Sequence, residues 1–261
     1  MLYHRILRCD SSQEWVVFIH GAGGSSNVWC RQIRVFNRFY NLLMVDLNGH
    51  EASSVSCKPT HRRYTFRSVA LDVVEVLDYY MLKSCHFVGL SLGTIIIREI
   101  ANIDQRYVKS MILAGAVLKL DFKTKILSKI ADRLKDHVSC MSLYKFYAYL
   151  IMPRSSHRTS RLMFIHDAAR ITHHEFIKWM ALNHNLAKFL KAHVQEFQIP
   201  TCYIMGSEDH VFLSQVRSHV ETNMEHSRLY VIPGAGHVCN VDKSVDFNMA
   251  AILFLKHLSP I

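Results

Sequence analysis

The chain has few features of membrane or secreted proteins. No stretch of its 261 residues approaches the roughly 18 consecutive apolar residues of a membrane span. Arg5 and Arg8 near the N-terminus are not followed by the apolar run and small-residue site of a secretory signal. The cysteines are odd in number and lack CxxC spacing, so they predict reduced thiols in a cytoplasm. These cysteines are Cys9, Cys30, Cys57, Cys85, Cys140, Cys202 and Cys239.

Acidic residues are also scarce, with 21 Asp and Glu against 31 Lys and Arg, for a net charge of +10. Most of the excess lies in residues 119–194, which hold fourteen basic and five acidic residues. A basic surface in solvent is the simplest interpretation, while an anionic substrate or weak contact with an anionic membrane surface remains open. No nucleic-acid module accompanies the charge. The 17 histidines include no HExxH, so we predict neither a metal nor another cofactor.

Short, continuously apolar runs alternate with helical patterns along most of the chain. Continuous runs of this length predict buried parallel strands, and their alternation with helices predicts an α/β fold with a doubly wound, mostly parallel sheet. The six runs are 15–19, 42–45, 86–90, 108–114, 202–205 and 229–232. An amphipathic helix is predicted over 64–82.

The alternation is interrupted once, over residues 119–194, where helical patterns occur without a convincing strand. We therefore predict a core domain formed by residues 1–118 and 195–261, with a helical cap inserted at 119–194. Pro153 and the polar run 154–161 predict a turn between the two halves of the cap.

Ser91 stands at the centre of the strongest motif, Gly-Leu-Ser-Leu-Gly over residues 89–93. The motif lies between a predicted strand and a predicted helix, where a sharp turn exposes a nucleophilic hydroxyl and small neighbours relieve crowding. The alternative is a serine that only caps the helix. Position between strand and helix favours the nucleophile.

A second glycine-rich segment, His20 to Ser26, follows the first predicted strand. Its backbone can bend around a reacting oxygen, so we predict an oxyanion hole formed by the N–H groups of Ala22 and Leu92. A dinucleotide-binding loop is excluded because Ser26 stands where GxGxxG requires glycine. His20 is predicted to have a structural role.

Asp209 and His237 follow the last two predicted strands, in the sequences Gly-Ser-Glu-Asp and Gly-Ala-Gly-His. The carboxyl ends of parallel strands share one edge of the sheet, so both side chains are expected beside Ser91. His237 would accept the Ser91 proton while Asp209 orients the imidazole. Glu208 and Asp46 are weaker candidates for the orienting carboxylate.

Together these elements resemble the α/β-hydrolase family, especially its small, capped, esterase-like bacterial members. The resemblance runs from Trp15 to the C-terminal helix and implies the fold, the triad Ser91, Asp209 and His237, and the oxyanion pair. Glu51 and Thr94 depart from glycines common in the family. A serine nucleophile excludes the epoxide hydrolases and dehalogenases. Ile95 replaces the arginine usual in the menaquinone-pathway synthase, which disfavours that enzyme.

The predicted function is hydrolysis of carboxylic esters with small or medium acyl chains, through an acyl-serine intermediate. Two alternatives stay open: C–C bond hydrolysis or a lyase step on the same triad, and ligand-binding signalling with slow turnover. Tyr144, Tyr147 and Trp179 are candidates for the substrate pocket, although simple packing of the cap explains them equally well. The protein is expected as a monomer or homodimer.

Overall fold

The computed structural model describes residues 1–53, 64–120, 133, 138–192 and 197–258. A seven-stranded sheet forms the centre of the molecule, in the order β1-β3-β2-β4-β5-β6-β7. All neighbouring strands are parallel except the antiparallel pair β1 and β3. The strands are β1 His4–Leu7, β2 Trp15–Ile19, β3 Asn41–Val45, β4 Cys85–Leu90, β5 Val108–Ala114, β6 Thr201–Gly206 and β7 Ser227–Ile232.

Six of these strands coincide with the predicted apolar runs, and the predicted α/β class is confirmed. Strand β1 was not predicted, because its four residues are all half-buried and carry no continuous apolar run. Strand β7 differs from the prediction in character, since its burial alternates along the chain. It is an edge strand, and Arg228 and Tyr230 on one of its faces are exposed to solvent.

Two apolar clusters cover the two faces of the sheet. Along β2, Val17 and Ile19 belong to one cluster while Val16 and Phe18 belong to the other. Alternate side chains of a strand point to opposite faces, so a strand buried on both sides must be apolar throughout. This requirement explains why the strand pattern was readable from the sequence.

Helices pack on both sides of the sheet. The predicted helix over 64–82 forms as α2, with a capping box in which the hydroxyls of Thr65 and Ser68 bond each other's backbone N–H. The helices are α1 Cys30–Phe36, α2 Phe66–Tyr79, α3 Leu92–Ile103, α4 Cys140–Ile151, α5 Arg158–Ala168, α6 His173–Ala192, α7 Leu213–Thr222, α8 Cys239–Asp242 and α9 Ser244–Leu258. None of the described helices is long and apolar enough to cross a bilayer.

Helices α4, α5 and α6 lie between β5 and β6 in the chain, and the described part of residues 119–194 contains no strand. They share a small apolar cluster that includes Leu143, Tyr144 and Phe176. Polar bonds join them to the core, among them Ser25 to Asp167 at 2.8 Å and Trp179 Nε1 to the Asn48 carbonyl at 3.0 Å. The predicted cap boundary at residue 194 lies outside the described residues.

Candidate active site

Ser91 occupies a strained turn between β4 and α3. Its backbone has φ 51° and ψ −113°, a conformation uncommon for residues other than glycine. The crowding is visible at both motif glycines: a Cβ on Gly89 would lie 2.5 Å from Ile97 Cδ1, and one on Gly93 would collide with the Ile19 carbonyl. The Ser91 side chain makes no capping hydrogen bond. A simple helix cap therefore does not account for the residue.

Asp209 and His237 are in direct contact, with Asp209 Oδ2 2.8 Å from His237 Nδ1. The other carboxylate oxygen accepts hydrogen bonds from the backbone N–H groups of Val211 and Phe212. Burial alone would raise the pKa of Asp209, but the charge and hydrogen bond of His237, with those N–H groups, hold this pKa below its usual value. Because the carboxylate only accepts, Nδ1 of the neutral imidazole carries the proton.

The Ser91 hydroxyl and the His237 imidazole line the same cavity. The peptide group between Ala114 and Gly115 lies beside both residues. Ser91 N–H donates to the Ala114 carbonyl at 2.9 Å, and a Cβ on Gly115 would lie 3.1 Å from His237 Nδ1. His237 Nε2 is buried and has no hydrogen-bond partner among the described residues. The structure thus brings together the three residues predicted from the ends of three different strands.

The two predicted oxyanion residues also lie on the cavity wall. Leu92 is the first residue of α3, and such a residue has no acceptor for its N–H within the helix. Ala22 lies in the loop after β2, where a bond between the Gly24 N–H and the Gly21 carbonyl closes a tight turn. Both residues line the same cavity as Ser91.

The cavity has a volume of about 230 Å³ and mostly apolar walls. Tyr144, Tyr147 and Trp179, the three predicted pocket residues, all line it. Tyr144 and Trp179 also pack on neighbouring rings, so they contribute to the cap core and to the cavity at once. Among the described residues, no group of three His, Cys, Asp or Glu side chains is placed to hold a metal ion.

Comparison with known proteins identifies the fold. Residues 14–138 match the family model described as alpha/beta hydrolase fold. The chain is 22% identical to a candidate carbamate hydrolase named RutD from Pseudomonas savastanoi, over 97% of this chain and 98% of the relative. The chain has the α/β-hydrolase fold. A catalytic triad and an oxyanion hole are typical of this fold.

Solved structures agree on the fold. MenH from S. aureus superimposes with a TM-score of 0.82 at 17% identity, covering 99% of both chains. The esterase EaEST from Exiguobacterium antarcticum gives a TM-score of 0.81 at 20% identity, covering 98% of this chain and 95% of that one. The predicted resemblance to α/β-hydrolases is thereby confirmed.

Two buried histidines bond the glycine-rich loop after β2, for which an oxyanion hole is predicted. His20 donates from Nδ1 to the Gly21 carbonyl at 2.7 Å and accepts the Leu47 N–H at Nε2. His50 accepts the N–H of Gly23 at 3.1 Å and donates to the Asn48 carbonyl. In each ring, one nitrogen donates to a backbone carbonyl and the other accepts from a backbone N–H. Only a neutral imidazole can do both, because both nitrogens of the charged ring carry protons. The structural role predicted for His20 matches these contacts.

Stability should depend on pH through His20. Burial lowers the pKa of His20 from 6.5 to about 4, so the native state stays neutral where the unfolded chain binds a proton. The unfolding free energy contributed by this group is fully present above pH 6.5 and should fall by about 3 kcal/mol as pH drops to about 4. Urea unfolding of His20→Gln across this range should show a correspondingly shallower pH dependence.

The matched control is His210→Gln, because His210 is exposed in a loop. We expect this variant to keep the pH dependence of the unsubstituted protein. Equal slopes for His20→Gln and the unsubstituted protein would contradict the assignment of a buried neutral imidazole.

Three functional contacts were not predicted from the sequence. Asp167 of α5 reaches the loop after β2 through Ser25, and His157 Nε2 lies 2.8 Å from Glu208 Oε2. Glu208 therefore faces the cap and not His237, as expected. Thr94 donates to the Ser91 carbonyl at 2.6 Å, so this departure from the family pattern adds a bond inside the turn that carries Ser91. Nothing local in the sequence marks these pairs.

Glu51, the other departure from the family pattern, forms an ion pair with Arg170 of the cap. The side chain is mostly shielded from solvent, and the backbone has φ 39°. A glycine common in relatives is thus replaced by a residue that joins the loop after β3 to the cap.

Proposed function

We propose that this chain is a serine hydrolase that cleaves carboxylic esters through an acyl intermediate on Ser91. The observation that carries the proposal is the buried, unpartnered Nε2 of His237, in the same cavity as Ser91 and on an imidazole already oriented by Asp209. An imidazole held in this way can take the serine proton at Nε2 while its Nδ1 stays hydrogen-bonded to Asp209.

In the first half of the reaction, Ser91 Oγ attacks the ester carbonyl carbon and its proton passes to His237 Nε2. The carbonyl oxygen becomes negatively charged and accepts hydrogen bonds from the Ala22 and Leu92 N–H groups. Collapse breaks the bond to the alcohol, which leaves with the proton from His237. Asp209 stabilises the imidazolium during this step, which is consistent with the lowered pKa of Asp209.

In the second half, water attacks the acyl-Ser91 carbonyl and gives a proton to His237 Nε2. The same oxyanion donors stabilise the second tetrahedral intermediate. Its collapse releases the carboxylic acid and returns the proton to Ser91. The two half-reactions need only these side chains, the two backbone N–H donors and water.

Small and medium acyl chains fit the cavity best. A volume of about 230 Å³ is modest, and its walls are largely apolar. Met152, Met163 and Met180 line it, and methionine adapts to irregular apolar shapes. The names of the relatives, a candidate carbamate hydrolase and an esterase, also support cleavage of ester-like bonds.

We also place the enzyme in the cytoplasm. The six cysteines among the described residues are free thiols, which agrees with a reducing compartment.

Labelling with a fluorophosphonate tests the proposal directly. The reagent phosphonylates serines activated by a neighbouring imidazole, and we expect mass spectrometry of the digest to find the label on the peptide that contains Ser91. p-Nitrophenyl acetate and butyrate should be hydrolysed by the same preparation, and prior labelling should remove that turnover. Absence of label together with absence of turnover would overturn the proposal.

A further inference from the structure

The charge of the cavity wall is opposite to that of the cap. Residues 119–194 carry an excess of nine positive charges, yet no Lys or Arg lines the cavity in the part of the chain that the structure describes. Among the described residues of this wall, the one carboxylate is Asp167, which is only 7% exposed. A substrate inside the cavity therefore meets a negative group from the cap.

Several basic side chains of the cap are engaged elsewhere. Arg154 pairs with Glu208 and Lys178 pairs with Glu175, while Arg170 pairs with Glu51 and is also attracted electrostatically by Asp167. Arg161 donates to the carbonyl groups of Met152 and Arg154. These contacts explain how a strongly basic segment can present an acidic group to the substrate.

Asp167 keeps capacity for a further hydrogen bond. Its Oδ2 accepts from the Ser25 hydroxyl at 2.8 Å, and its Oδ1 lies 3.3 Å from Nδ1 of His166, a mostly exposed side chain. A carboxylate offers about four lone-pair sites, so two contacts do not saturate it. A donor on the substrate can occupy one of the remaining sites.

We infer that Asp167 makes the cavity selective for acyl groups that are neutral or carry a hydrogen-bond donor, and that it rejects acyl groups ending in a carboxylate. The inference rests on the proposed ester hydrolysis and names its substrate class. An incoming carboxylate would lose water against apolar walls and meet a like charge in a small space. A terminal amide or hydroxyl would instead donate to Asp167.

Three p-nitrophenyl esters of equal chain length test this selectivity. They are the valerate, the hemiester of glutaric acid, and the ester of glutaric acid monoamide, which differs from the hemiester by replacement of the carboxylate with a neutral amide. We expect kcat/KM for the amide ester to exceed that for the hemiester by about tenfold or more, because like charges close together in a partly buried site repel each other.

Asp167→Asn should reduce that ratio by about tenfold, because the charge disappears while the amide oxygen can still accept the Ser25 hydroxyl. Because the ratio compares kcat/KM for two esters of the same variant, a change in the rate of Ser91 acylation that affects both esters equally cancels. The control is Glu221→Gln, which removes an exposed carboxylate on α7 and changes the net charge by the same unit. Its ratio should equal that of the unsubstituted protein.

A hemiester cleaved as well as the amide ester, or a ratio unchanged in Asp167→Asn, would overturn the inference. Calorimetric binding of 2-hexanone and of 5-oxohexanoate, which differ only in a terminal methyl group against a terminal carboxylate, decides the question without turnover. Weaker binding of the carboxylate ligand, relieved in Asp167→Asn, supports it, and equal binding refutes it. Failure of all three esters with no label on Ser91 would instead refute the proposed hydrolysis.

Discussion

Replacing Ser91 with alanine should lower kcat for p-nitrophenyl butyrate by about 10⁵- to 10⁶-fold. The expected loss is this large because the serine oxygen forms the covalent bond to the acyl group, and no other described hydroxyl stands on the strained turn beside His237. Residual activity over water should come only from the oxyanion donors and binding. Steady-state kinetics and loss of fluorophosphonate labelling measure the effect together.

Ser214→Ala provides the control for this experiment, since Ser214 is exposed in the first turn of α7. It should keep full activity and full labelling. Circular dichroism should show that both variants are folded. Turnover that survives Ser91→Ala undiminished would remove Ser91 from the reaction.

Asp209→Asn should lower kcat by about 10⁴-fold, the second largest effect that we expect. An asparagine can present its amide NH₂ to His237 Nδ1, which favours the tautomer with the proton on Nε2 and blocks acceptance of the serine proton. It also removes the negative charge that stabilises the imidazolium. Because His237 and Ser91 remain in place, KM should change far less than kcat.

The neighbouring residue supplies a matched control. Glu208→Gln removes an equal charge one position away, but Glu208 bonds His157, Ser156 and Arg154 of the cap and not His237. We expect a loss of less than about tenfold, since the tautomer of His237 is not affected. A larger loss in Glu208→Gln than in Asp209→Asn would show that Glu208, and not Asp209, orients His237.

Much of the site was predictable because its residues follow strands. Ser91, Asp209 and His237 each come directly after an apolar run, and parallel strands place such positions at one edge of the sheet. The same local rule located the glycine-rich loop after β2. These predictions needed only the order of the elements, not their detailed packing.

The supporting contacts were not predictable in this way. Ser25 and Asp167 are 142 positions apart, and His157 and Glu208 are 51 apart. Each pair joins a core loop to a cap helix, so it depends on how the cap docks. The acidic character of the cavity wall also escaped prediction, because the composition of the cap is basic.

The amino-acid sequence by itself determined the sheet, the strained serine turn and the order of the catalytic side chains, because hydrophobic period and glycine placement act over a few residues. Only the tertiary structure decided which of the cap's charged groups lines the cavity and which histidines bond the glycine-rich loop after β2. Those choices depend on burial and pairing across the chain, where a side chain's partner is set by docking and not by its neighbours in sequence.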